Sequence, residues 1–261
     1  MNYFFHTSYK NINSKLTISK YKNSGERNEN LLLIGAFCEG NAWRYYLVPD
    51  EYDDYYVINS DLENKDHIFF YLDKSIIPSN FSSEFLLKPS DFTSTSPAFR
   101  GNLEVSMHDG GFSSYQAEFP HRMSQMQGSM VSSAGNLINL DNATNLVFIR
   151  SIYHKPIKSN FGLFIWDEDD REPLGKKILS VNASNIIILD PYLESSKHGN
   201  VGLFADGYLC IPVFLSYSKD GQMSFEHTHP PHENLCGNDR IELVNKYRKE
   251  TYEKVVKKIF S

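Results

Sequence analysis

Three of the nine histidines, a cysteine and four carboxylates fall within the stretch SFEHTHPPHENLCGNDRIEL, residues 224 to 243. Imidazole, thiolate and carboxylate are the side chains that hold zinc. Along an extended strand alternate side chains share a face. In QMSFEHTH this puts His227 and His229 on the side of Met223 and Phe225, with Ser224, Glu226 and Thr228 turned away. Two neutral imidazoles on one rigid strand suit a metal. Pro230-Pro231 ends the strand, and His232, Cys236 or Asp239 can fold back as a third ligand. A reading without metal stands beside this one. Asp239 then caps the helix that follows, accepting its orphan amide N–H groups, and His227 is a strand-end histidine bonded to backbone.

His-Thr-His-Pro, followed by a polar loop, an acidic residue and an amphipathic helix, resembles the zinc site of the JAMM (MPN-plus) metalloproteases. In that family two histidines and the aspartate hold zinc, a serine three residues before the aspartate assists, and an upstream glutamate activates the water. The resemblance implies His227, His229 and Asp239 as Zn2+ ligands of a peptidase or deubiquitinase-like hydrolase. Cys236 stands in the serine place, and the loop from His229 to Asp239 is one residue shorter than the family's usual spacing. Glu118 and Glu194 are the candidates for the upstream base.

A second stretch, MHDGGFSSYQAEFPHRMSQMQGSMVSSAG (107 to 135), combines His108, Asp109, His121 and Arg122 with little sustained periodicity. These four are candidate binding residues, because long irregular segments in compact domains are often functional. Met107, Met123, Met126 and Met130 fit either a contact surface that repacks around a partner or an irregular core, and the core is favoured. The run PDEYDDYY (49 to 56) lacks the spacing and central glycine of an EF-hand and reads as a solvated acidic loop.

These residues need elements to position them. Apolar residues make up 41% of the chain, enough for a sizeable core, and 16 Tyr and 18 Phe favour pleated surfaces. Short runs such as LLLIGAF, HIFFYL, NLVFIR and GYLCIPVFLSY follow one another with turn residues between them. In NLEVSM the apolar Leu103, Val105 and Met107 alternate with polar neighbours, the pattern of a one-sided strand. FGLFIW and KKILSV read as two strands joined by a charged turn. Asp220-Gly221 marks a hairpin tip between VFLSYS and QMSFEH, and Pro212 predicts an edge strand or a bulge. Helical spacing of Ile241, Val244, Tyr252, Val255 and Ile259 predicts one amphipathic helix from Asp239 onward. No internal repeat is evident.

The expected fold is mainly β: antiparallel β-sandwich-like units closed by one amphipathic C-terminal α-helix. The Pro- and Ser-rich segment 86 to 101 suggests a β-rich region over 1–90 and a β-rich domain with the helix over 101–261, with a single domain as the alternative. A net charge of −6 argues against a nucleic-acid footprint. No apolar run approaches membrane-spanning length, no signal peptide is recognisable, and three cysteines without paired spacing suit a reducing cytoplasm. The expected function is a soluble cytoplasmic binding or assembly protein that engages a protein partner through its aromatic-rich sheets and the 107–135 segment. The alternative is the zinc-dependent hydrolase.

Overall fold

Two kinds of strand build this chain, and the difference between them decides the architecture. The computed structural model describes residues 2–10, 12–21, 25–27, 29–59, 66–76, 101–108, 110–134, 142–227 and 240–260. The first strands are β1 (Asn2–Phe5), β2 (Ile12–Ser19), β3 (Leu31–Glu39), β4 (Ala42–Leu47), β5 (Tyr55–Asn59) and β6 (Ile68–Asp73). Next come β7 (Gly101–Met107), β8 (Phe112–Gln116), β9 (Glu118–Pro120), the single turn α1 (His121–Ser124) and β10 (Gln127–Ser133). They are followed by β11 (Ala143–Ser151), β12 (Asn160–Asp167), β13 (Pro173–Ser180), β14 (Ser184–Ile188) and the short α2 (Asp190–Ser195). The last strands are β15 (Val201–Tyr208), β16 (Cys210–Ser218) and β17 (Met223–His227). Helix α3 (Arg240–Thr251) then runs through a wider π-type turn at Tyr252–Val256 into α4 (Lys257–Phe260).

Strand β2 is one-sided. Ile12, Ser14, Leu16 and Ile18 are buried while the residues between them face outward. Strands β6, β11 and β16 are buried along nearly their whole length. A strand apolar on both faces must be covered on both. A two-leaf sandwich leaves one face of each sheet in water, so the expected sandwich-like units do not describe the chain. Its four antiparallel sheets are arranged like the blades of a four-bladed propeller. No blade is a continuous meander: the orders are β4-β3-β6-β1-β9, β5-β2-β7-β8, β14-β11-β16-β17 and β10-β15-β12-β13.

Two cores lie among the sheets. The first joins both N-terminal sheets with Leu146, Phe148, Val213 and Leu215 of the β14-β11-β16-β17 sheet. The opposite face of that sheet, carrying Val147, Ile149 and Phe214, packs on Leu163, Ile165 and Leu203 of the β10-β15-β12-β13 sheet. Each large apolar side chain so buried contributes ~1.5–3 kcal/mol. The C-terminal helix covers a third cluster around Trp166 and Phe204, where Val256 is buried. Phe260 stands 5.2 Å from Phe164, and the Lys176 ammonium lies over both rings and donates to the Phe260 carbonyl. A C-terminal helix stands where the sequence predicts one, and it is described from Arg240. No helix among the described residues is long and apolar enough to cross a membrane. Pro212 is not on an edge strand. It sits in β16, paired with Ile149 of β11, next to Val213, which pairs with His227 of β17.

The strand pairings repeat. β3 pairs with β4 and β6, and β6 with β1; β12 pairs with β13 and β15, and β15 with β10. β2 pairs with β5 and β7, and β7 with β8; β11 pairs with β14 and β16, and β16 with β17. The tips of the β7–β8 and β16–β17 hairpins match bond for bond. Met107 N–H donates to Gly111 O and Gly110 N–H to Met107 O; Ser218 N–H donates to Gln222 O and Gly221 N–H to Ser218 O. Aligned on these tips, 111 residues apart (218 minus 107), Asp109, Gly110, Ser113, Pro120 and His121 recur in the sequence as Asp220, Gly221, Ser224, Pro231 and His232. The chain carries one pairing frame twice. Residues 101–120 belong by hydrogen bonding to the first copy, since β7 pairs with β2 and β9 with β1.

The copies are locked to each other. Their hairpin tips meet so closely that a Cβ on Gly111 would lie 2.6 Å from the Gly221 carbonyl oxygen. Arg150 of β11 is fully buried and reaches into the first copy. Its guanidinium donates to Ser184 Oγ at 3.0 Å and to the Asp66 carbonyl at 2.7 Å, and stands 3.7 Å from the Asp66 carboxylate. That carboxylate in turn accepts the Ser184 N–H at 2.8 Å. Burial pulls the guanidinium pKa down to about 10. Deleting one partner of such a set leaves buried groups uncompensated. Arg150→Ala should therefore lower the unfolding free energy by roughly 3 kcal/mol, and Arg150→Lys should recover little because it lacks the planar fork. Urea denaturation at neutral pH measures both, and an unchanged midpoint for Arg150→Ala would refute the assignment.

Candidate functional site

Because β2 is one-sided, the sheet β5-β2-β7-β8 keeps a polar face. In register across it, Thr17 lies between Val57 of β5 and Asn102 of β7, and Ser19 lies beside Tyr55. Where β2 ends, Thr17, Ser19 and Asn102 form the floor of an open groove of about 470 Å³, with Tyr21, Asp54 and Tyr55 as its other lining residues. The Tyr21 hydroxyl donates to the Asp54 carboxylate at 2.9 Å, which raises the Tyr21 pKa. Tyr21 also pairs through its backbone with Arg27 across an isolated bridge, and the Arg27 charge opposes the rise of the Tyr21 pKa. Tyr55 stacks on Tyr52 with centroids 5.3 Å apart, and both rings are substantially exposed.

The neighbouring side chain anchors the loop that supplies this wall. Lys20, next along the chain from Ser19, points the other way and is buried. Its ammonium contacts the Asp50 carboxylate and the Tyr52 carbonyl and lies 4.8 Å from the Tyr56 ring centroid. Residues 50 to 54 are thereby tied to the strand end that forms the groove. Sequence reading missed Thr17, Ser19, Tyr21, Asp54, Tyr55 and Asn102 as a group. The one signal was the tyrosine-rich acidic run 49 to 56, whose partners lie on other strands.

The binding residues expected from the 107–135 segment separate. His108 is exposed at the β7–β8 tip, and Asp109 lies outside the described residues. His121 opens α1, with the length of β8 between it and that tip. Its Nδ1 is 3.0 Å from the Tyr3 hydroxyl and its ring centroid 5.5 Å from that of Tyr3. Arg122 is placed in α1 by its backbone alone. Met123 and Met130 are buried and Met107 packs against the first core, while Met126 is exposed.

In the histidine cluster, β17 is extended through His227, whose backbone pairs with Val213. The His227 side chain, His229, His232, Cys236 and Asp239 lie outside the described residues. Among the described residues no group of three or more His, Cys, Asp and Glu is placed to hold a metal. Glu118 sits in β9, where it accepts the Gly101 N–H, and Glu194 sits in α2. Burial pushes the Cys210 thiol up to about 12 and raises that of Cys38, so both are poor sources of thiolate near neutral pH. No protein-family model, curated protein or solved structure matches the chain.

Two measurements follow from these placements. Burial first, then the N-terminal ammonium and His154, pull the His121 pKa down to about 4 from 6.5. A histidine depressed in the folded state binds its proton earlier in the unfolded chain, so stability is lost as pH falls from about 6.5 towards 4. His121→Gln should remove that part of the acid sensitivity. Melting temperatures of wild type and variant taken between those limits should converge on acidification, and parallel curves would refute the assignment.

The second measurement concerns zinc. If His227 and His229 are ligands, protein purified without chelator carries close to one metal equivalent, and either alanine variant loses it, also on acidification through the histidine range. Elemental analysis reads the outcome directly. Metal-free wild type after purification in zinc-containing buffer would exclude the hydrolase.

Proposed function

We propose that the chain is a binding protein without catalytic chemistry of its own, and that it engages a protein partner through the outward face of β5-β2-β7-β8. The observation that carries this reading is the groove. It combines exposed aromatic rings, hydroxyls, an amide and a carboxylate on a rigid sheet, the mixture that serves recognition. From Asn102 the same face continues through Gln116 and the Glu104–Ser114 pair to Phe112, which is 63% exposed at the far end. The part of the 107–135 segment available for contact is therefore its hairpin, with His108 and Phe112, rather than its buried methionines. The zinc-hydrolase reading keeps one supporting placement, β17 extended to His227, and the metal measurement decides it.

Site-specific photo-crosslinking in the native cells tests the surface. A benzophenone side chain in place of Tyr55 should give a discrete protein adduct. The same group in place of Ile178, which is 76% exposed on the edge strand β13, should give none. Equal labelling at both positions, or no adduct at 55, would remove the proposed face.

A further inference from the structure

We propose that the groove between Tyr21 and Tyr55 is a cation-recognition site, and that the partner enters it with an arginine or lysine side chain from an extended basic segment. This inference rests on the binding reading above and names the chemistry of the partner.

A cation placed over a tyrosine face is attracted by the ring quadrupole, and the attraction grows when a carboxylate stands beside it. The groove supplies both, with Tyr21 and Tyr55 as rings, Asp54 as carboxylate and Tyr52 stacked behind Tyr55. Ser19 and Asn102 add neutral oxygen acceptors along the floor, matching the N–H donors of an ammonium or guanidinium. Glu51 and Asp53 are exposed on the same loop and add negative field at the entrance.

The chain already uses this chemistry on itself twice at the same strand end. On the buried side the Lys20 ammonium is held by the Asp50 carboxylate, the Tyr52 carbonyl and the Tyr56 ring. On the groove side Arg27 is joined by its backbone to Tyr21, whose hydroxyl is bonded to Asp54, and its charge acts on that hydroxyl. Arg27 is exposed and joined to the strand end by a single bridge, so it acts as an internal competitor for an incoming cation. That role fixes an unusual sign: removing Arg27 should strengthen binding.

The test uses the full chain and a dye-labelled Gly-Arg-Gly-Arg-Gly peptide, followed by fluorescence anisotropy. Its counterpart carries citrulline in both arginine positions and has the same shape without charge. The arginine peptide should bind about tenfold more tightly than the citrulline peptide, a difference of about 1.4 kcal/mol. Asp54→Asn should abolish most of that margin. Tyr55→Ala should weaken binding roughly two- to fivefold. Arg27→Ala should strengthen it about twofold, a change of about 0.4 kcal/mol. Melting curves confirm that each variant is folded.

Equal affinity for the two peptides, no binding of the arginine peptide at roughly millimolar concentration, or indifference to Asp54→Asn overturns the proposal. So does weaker binding by Arg27→Ala, particularly if cellohexaose binds instead, since Arg27 would then be a donor to a neutral ligand. An adduct at position 55 with charge-independent peptide binding removes this inference and leaves the binding reading. Charge-dependent binding without any adduct leaves a cation-binding groove and removes the protein partner, and with it the proposed occupant.

Discussion

Val213 and Phe214 are neighbours on β16, yet they belong to different cores. The same holds for Leu146 and Val147 on β11. Successive side chains of a strand point to opposite faces, so these strands can be buried only if a layer covers each side. That requirement draws the β14-β11-β16-β17 sheet between the first copy of the frame and the β10-β15-β12-β13 sheet. The latter has a further apolar face of its own, at Trp166 and Phe204, and the C-terminal helix closes it. Arg150 belongs to the same buried β11 and can be satisfied only by reaching Asp66 of the first copy. Its contacts with the Asp66 carbonyl and carboxylate require the two copies to be docked.

Part of this was legible from residues alone. Alternation in NLEVSM gave a one-sided β7, Asp220-Gly221 gave a real hairpin tip, and the late 3.6-residue period gave the terminal helix. The continuous apolar runs HIFFYL and NLVFIR were equally visible, and they already argue for sheets covered on both faces. The layer count stayed hidden because a continuous run does not say what covers each side. Pro212 misled because a proline does not show which strands flank its own. The duplication was invisible for a related reason: strand pairing is the same in the two copies while the side chains on one face differ, polar in the first and apolar in the second. His121 drew attention by residue type, and the structure adds that its half-buried imidazole is engaged with Tyr3.

The two copies show what that change did. With the hairpin tips superposed, the inward pair Leu16–Leu103 of the first copy matches Val147–Phe214 of the second, apolar in both. On the other face, Lys15–Glu104 matches Leu146–Leu215, and Thr17–Asn102 matches Phe148–Val213. The positions that form the groove floor in the first copy are thus core positions in the second. Where the second copy met a neighbouring layer, apolar residues at these registers were needed to avoid burying unpaired polar groups. Where the first copy faces water, threonine and asparagine occupy these registers, on backbone fixed by paired strands. The groove is the solvent-facing version of a contact that the second copy makes internally. A partner docking on β5-β2-β7-β8 would cover in the first copy the face that the first copy covers in the second. The exposed tyrosines and carboxylates at its end would set which partner could do so.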